Sequence, residues 1–212
     1  MNESVLHGNP GWGSAIVEAQ LLWYGLPFRY QASGNLFESA EARERLRALN
    51  PLSQVPVLEL PDGTVMTESA AITLHLADLS GRDDLVPGPT APERAAFLRW
   101  LVFLVANVYP TFTYADDPSR FVKDAAAQPG FRAEVDAYAQ RLWLAVESAA
   151  GAPWFLGARC SALDVYLAVM TRWRPRREWF AQHAPRLHAA ALRADALPAL
   201  APMLARNFPP AA

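Results

Sequence analysis

The sequence has very little cysteine. Cys160 is the only one in 212 residues. An internal disulfide is therefore excluded, as is a zinc site built on several thiolates, and a reducing cytoplasm is the expected compartment. Histidine is scarce too: His7, His75, His183 and His188 show no ligand spacing with acids or with the cysteine, so no metal is expected. Charge of one sign is missing: 19 basic against 21 acidic residues leave −2, no field to draw nucleic acid. The start of the chain shows no basic stretch leading into an apolar one, so no secretory signal is expected. Apolar runs stay short of the roughly 18 residues that span a bilayer. The best candidate, Trp100 to Val108, falls well short, and no membrane partner is expected.

Apolar side chains, by contrast, are plentiful. They make up 52% of the chain against 19% charged, enough for a substantial core in one or two domains. The most informative stretch is Gln54-Val55-Pro56-Val57-Leu58-Glu59-Leu60, closed by Pro61-Asp62-Gly63 and followed by Val65-Met66-Thr67-Glu68-Ser69. It reads as strand, tight turn, strand and helix start, with Pro presetting φ and Gly accepting a positive one. Proline cannot donate to a β-ladder, so Pro56 belongs at an edge or a strand start. The main chain of Val55 is then open to an extended ligand by strand addition. Ser69 reads as the N-cap of the helical run from Ala70, and a helix N-terminus there attracts a carboxylate. An open edge beside a carboxylate site suits a small acidic peptide.

The rest of the first 80 residues fits around that stretch. Ser4 to His7 reads as a strand, Ser14 to Tyr24 as a helix stopped by Gly25, Pro27 to Gln31 as a strand and Ser39 to Leu49 as a charged helix. The order βαβαββα predicts a thioredoxin-like domain over 1–80, with its first βαβ unit parallel and the Asp62-Gly63 hairpin antiparallel. Gly81, Pro87, Gly88, Pro89 and Pro92 make 81–91 a linker. From 92 to 212 strand signals vanish. Long helices are predicted from Pro92 and over Phe131–Ala149, a buried one over Ala162–Trp173, and shorter ones over Pro185–Leu192 and Asp195–Arg206, with a frayed tail from Pro209. The fold class is α/β plus all-α: a thioredoxin-like domain followed by an all-helical one.

Gln54-Val55-Pro56, Glu68-Ser69 with its Ala-Ile helix, and Ser161-Ala162-Leu163-Asp164 together resemble the glutathione transferase superfamily, over most of the chain. The class within it is not assignable. The resemblance implies glutathione as co-substrate, held by Gln54, Val55, Pro56, Glu68 and Ser69, with a cis bond before Pro56. Ser69 and the helix N-terminus would take the γ-glutamyl carboxylate and Glu68 its ammonium. It further implies a homodimer.

In that family the loop after the first strand carries a Tyr, Ser or Cys that activates the thiol. Here Gly13 stands where the cysteine would be and Trp12 where the serine would be. Ser14, the only nearby hydroxyl, and Trp12 are the catalytic candidates, with Ser14 read either as helix N-cap or as thiol contact. Without a cysteine in the loop, exchange through a protein mixed disulfide is not expected. Ser161 and Asp164 have capping-box spacing and a structural role. Tyr109 and Tyr114, with Trp12 as an opposite wall, are candidates for contact with a small apolar electrophile. The expected activity is conjugation of glutathione to that electrophile. The alternatives are a binding protein of the same fold without turnover, or a glutathione-dependent isomerase or peroxidase.

Overall fold

A computed structural model describes residues 3–209. Of the tail expected to fray from Pro209, residues 210–212 lie outside them. The chain divides into two compact units. One runs to Val86 and resumes at Arg193; the other is Pro87–Leu192.

The first unit is built on a four-stranded sheet of order β2-β1-β3-β4, from β1 (Ser4–Gly8), β2 (Phe28–Ala32), β3 (Val57–Glu59) and β4 (Val65–Met66). β1 and β2 are parallel, and the other two pairings are antiparallel. Leu6, Val57 and Leu58 are fully buried in it. Helix α1 (Ser14–Tyr24) forms the βαβ crossover and ends at Gly25, whose φ of 67° suits a residue without a side chain. Helix α2 (Ala40–Arg47) is capped by Ser39, whose hydroxyl accepts the Ala42 N–H at 3.1 Å. Helix α3 (Ser69–Ser80) packs on α1, and Gln20 donates to the Thr73 hydroxyl between them at 3.0 Å. His7 pairs with Glu59 from β1 to β3, because alternate residues of neighbouring strands share a face.

The helical segment expected for 92–212 does not stay in one unit. Helix α9 (Pro185–Asp195) runs across the division, and α10 (Ala201–Asn207) with the short 3₁₀ turn Pro198–Leu200 packs on α1. Leu200 and Met203 are fully buried there, which draws the end of the chain into the first unit.

In the second unit, α4 (Arg94–Phe103) passes through a π-helical turn (Leu104–Val108) into α5 (Tyr109–Asp116). Tyr109 bonds back five residues to Leu104. The wider turn accommodates Pro110, which has no N–H and would crowd the carbonyl of Ala106 in a regular helix. The joined run Arg94–Asp116, 23 residues, is long and apolar enough by length and composition to cross a membrane, which the reading confined to Trp100–Val108 did not find. Its residues Phe97, Trp100, Leu101, Leu104 and Val108 are buried in the protein. Helix α6 (Gln128–Ala149) lies against α5, and every residue of α7 (Ala162–Met170) is buried.

Asp164 holds the start of α7. Its carboxylate accepts the amides of Phe155 and Ser161, each at 2.8 Å, and the Ser161 hydroxyl at 3.2 Å. Helix α8 (Arg177–His183) lies where the sequence predicts no element. Just before it Arg174 pairs with Asp116 and Asp136, and Arg177 donates to the Ala168 carbonyl at 2.8 Å.

Candidate functional site

Three segments of the first unit carry the expected site residues: the loop 9–14, the stretch 50–57 and the start of α3. The Val55–Pro56 peptide is cis. Pro56 is buried and Val55 half-buried just before β3. Among the described residues no hydrogen bond reaches the Val55 main chain. What fixes this stretch is Asn50, which sequence reading treated only as a helix end. Its carboxamide donates to the Gln54 carbonyl at 2.8 Å and accepts the Leu52 amide at 3.1 Å, with the residue only 5% exposed. Ser53, at φ 52°, donates its hydroxyl to the Arg43 carbonyl at 3.0 Å and ties the same loop to α2. The sequence signal was an Asn-Pro pair five residues before a strand-opening proline, which is indistinguishable from an ordinary turn.

At α3 the cap lies one residue earlier than expected. Glu68, not Ser69, is the N-cap, at φ 63° and ψ 101°, and no side-chain cap bond is made. A side chain in the left-handed region costs roughly 1–2 kcal/mol. Glu68 is nevertheless exposed, while Ser69, the first helical residue, is buried. The first helical bond runs from the Ile72 amide to the Glu68 carbonyl at 3.0 Å, so the amides of residues 69–71 have no acceptor within the helix. An acid beside three such amides can address an ammonium and a carboxylate on neighbouring atoms of one ligand.

The loop 9–14 is tightly organised. The cap of α1 is Gly13, and Ser14 is again the first helical residue rather than the cap. Ser14 is fully buried; its hydroxyl accepts the Asn9 amide and donates to the Asn9 carbonyl, both at 3.1 Å. Asn9 in turn donates its side chain to the Gly34 carbonyl at 2.6 Å. Trp12 is half-buried, its ring 4.9 Å from that of Phe37. It packs with Val55 on one cluster formed by Leu36, Ala42, Leu46 and Val57, which brings the 9–14 loop and the Val55–Pro56 stretch onto common ground.

Gly8 lies against Ser14, and the Gly11 amide donates to Asn207, which in turn bonds Glu18; sequence reading assigned Gly8, Glu18 and Asn207 no role.

In the second unit, Tyr109 packs edge-to-face on Trp173 at 5.5 Å and on Phe112 at 6.2 Å. Tyr114, 41% exposed, packs on Phe121 at 5.0 Å. Five residues apart on one helix, the two tyrosines point about 140° from one another and do not share a face. Among the described residues, no group of three or more histidine, cysteine or acidic side chains could hold a metal ion.

The family profile for the glutathione S-transferase N-terminal domain matches residues 15–79. The GST-like protein YncG of Escherichia coli (strain K12) is 40% identical over 203 residues, covering 95% of this chain and 97% of that protein. Glutathione S-transferase GstA of Escherichia coli O157:H7 is 30% identical over 129 residues, 59% of this chain and 60% of that one. In fold, the chain superimposes on a glutathione transferase homologue from Sulfitobacter, solved with bound glutathione. The TM-score is 0.84 at 24% identity, over 95% of this chain and 97% of that one. With this near-full-length relative at 40% identity and the N-terminal family profile, the chain belongs to the glutathione S-transferase superfamily.

Proposed function

We propose that the first unit binds glutathione and that the chain directs its thiolate at a small apolar electrophile. The observation that carries this reading is Glu68. An exposed acid is kept in a costly main-chain conformation immediately before Ser69 and three helix amides without helical acceptors. Such strain persists where the surrounding structure enforces it, and a γ-glutamyl end supplies both charges that this corner can meet: carboxylate to Ser69 and the α3 amides, ammonium to Glu68.

Val55, next to Pro56 and Gln54, offers its N–H and C=O to the cysteinyl segment in the manner of strand addition. Trp12 forms one wall. The sulfur lies towards the 9–14 loop, where the Gly13 and Ser14 amides have no main-chain acceptor among the described residues and favour a thiolate over a thiol of pKa about 8.5. Ser14 contributes by shaping the loop through Asn9. Catalysis then consists of thiolate stabilisation and proximity. Tyr109 or Tyr114 would contact the electrophile singly rather than as a pair. The reading includes a cytoplasmic homodimer, which light scattering tests.

Calorimetry with glutathione is the decisive measurement. Binding should weaken about tenfold in Glu68→Gln and in Ser69→Ala, the cost of one charge-assisted bond. Wild type that binds no glutathione with both residues intact overturns the reading. A second reading, a binding protein without turnover, is favoured by one observation: the only hydroxyl in the loop is buried against Asn9. Glutathione capture with no conjugation across a panel of electrophiles would establish it.

A further inference from the structure

The end of the chain holds the loop at 9–13. Asn207, 6% exposed in α10, accepts the Gly11 amide on Oδ1 at 3.1 Å. Its Nδ2 donates to Oε2 of Glu18 at 2.8 Å and to the Met203 carbonyl at 2.9 Å. Glu18 is 1% exposed, and its other oxygen takes Nε of Arg206 at 2.8 Å. The Arg206 guanidinium also lies over the Tyr30 ring, 4.8 Å from its centre. A buried acid thus orients the carboxamide, and the carboxamide orients the loop.

The loop lies at ordinary packing distance from this partner. Gly11 stands at φ 78°, and a Cβ there would meet the Asn207 carbonyl at 3.4 Å and the Phe208 ring at 3.7 Å. The residue whose amide is captured immediately precedes Trp12 and Gly13, the positions where the family carries its thiol-activating residue. In a loop without an activating side chain, main-chain amides stabilise a thiolate only if they are already aimed at it, because reorientation on binding consumes the gain.

We propose that Asn207 is a positioning residue for the thiol site. Through Gly11 it holds the 9–13 loop in the orientation that turns the amides at the start of α1 towards the glutathione sulfur. The inference rests on the glutathione-binding reading above.

The test separates thiol ionisation from affinity. The absorbance of the bound thiolate is followed against pH, and S-methylglutathione, which has no ionisable thiol, reports affinity alone. In Asn207→Ala and in the shape-matched Asn207→Leu, the bound thiol should titrate about one unit higher, towards its free value near 8.5. S-methylglutathione affinity should stay within about twofold of wild type. Arg206→Ala loosens the same helix end without touching the Gly11 bond and should titrate as wild type. A folded Asn207→Ala or Asn207→Leu with unchanged ionisation overturns the proposal, as does an equal shift in Arg206→Ala. Wild type that binds neither compound overturns the glutathione reading and this inference together. Wild type that binds both, with ionisation indifferent to residue 207, overturns this inference alone.

Discussion

Gly8 and Ser14 leave no room between them: a Cβ built on Gly8 would stand 2.2 Å from the Ser14 Oγ and 2.3 Å from its Cβ. The last residue of β1 and the first of α1 are thereby locked face to face. Gly8→Ala should lower stability by about 1–3 kcal/mol, the usual cost of overpacking, read as a shift in the urea midpoint. In a Ser14→Gly background, which lacks both offending atoms, the same Gly8→Ala change should cost much less, measured against Ser14→Gly alone so that the lost Asn9 bonds cancel. A Gly8→Ala cost unchanged in that background would refute the contact.

Asn50 should matter for glutathione without touching it. Asn50→Ala removes the bonds to Gln54 and Leu52 and leaves the half-buried Gln54 without its carbonyl partner, costing about 1 kcal/mol. Because the released segment is Gln54–Pro56, the Kd for glutathione should rise about fivefold or more. Calorimetry that finds wild-type affinity in the folded variant would dissociate Asn50 from the site.

Glu68 sets stability against binding. Glycine accepts φ 63° without steric cost, so Glu68→Gly should melt no lower than wild type. It should bind glutathione about tenfold more weakly, having lost the acid. A variant that melts lower would show that the main chain at Glu68 is relaxed.

These three residues also show what a sequence can and cannot disclose. The parallel βαβ unit, the Asp62-Gly63 hairpin and the stop at Gly25 were legible because each depends on near neighbours and local periodicity. Both helix caps were placed one residue late, because Ser14 and Ser69 have cap chemistry but sit inside the first turn. Asn50 and Asn207 look like turn or helix-end residues until the fold brings Gln54 and Gly11 to them. Helix α8 follows a run of arginines, one of which, Arg174, finds its partners Asp116 and Asp136 tens of residues away. The π turn is written only in the incompatibility between Pro110 and a regular helix, which fixes where a disturbance falls and not its form.

Asp164 gives the chain a pH signature. Burial pushes its carboxyl up to about 6, with the bonds from Phe155 and Ser161 acting in the opposite direction. Its folded value therefore exceeds the unfolded one near 3.9, and the folded state holds the proton more tightly. The stabilisation is complete below about pH 4 and is lost as pH rises through about 6. Measured against Asp164→Ala by urea titration, the advantage of wild type should shrink by about 1–3 kcal/mol across that window. A constant difference would show that the hydrogen bonds cancel the effect of burial.

Because α10 closes onto α1, the first unit cannot be completed in the order in which it is synthesised. Gly11 emerges early from the ribosome, and its partner Asn207 follows 196 residues later. At 5–20 residues per second the nascent unit waits roughly ten to forty seconds for its final helix. A stop codon that removes only the last dozen residues would strip the buried Glu18 of both its partners while leaving every strand in place.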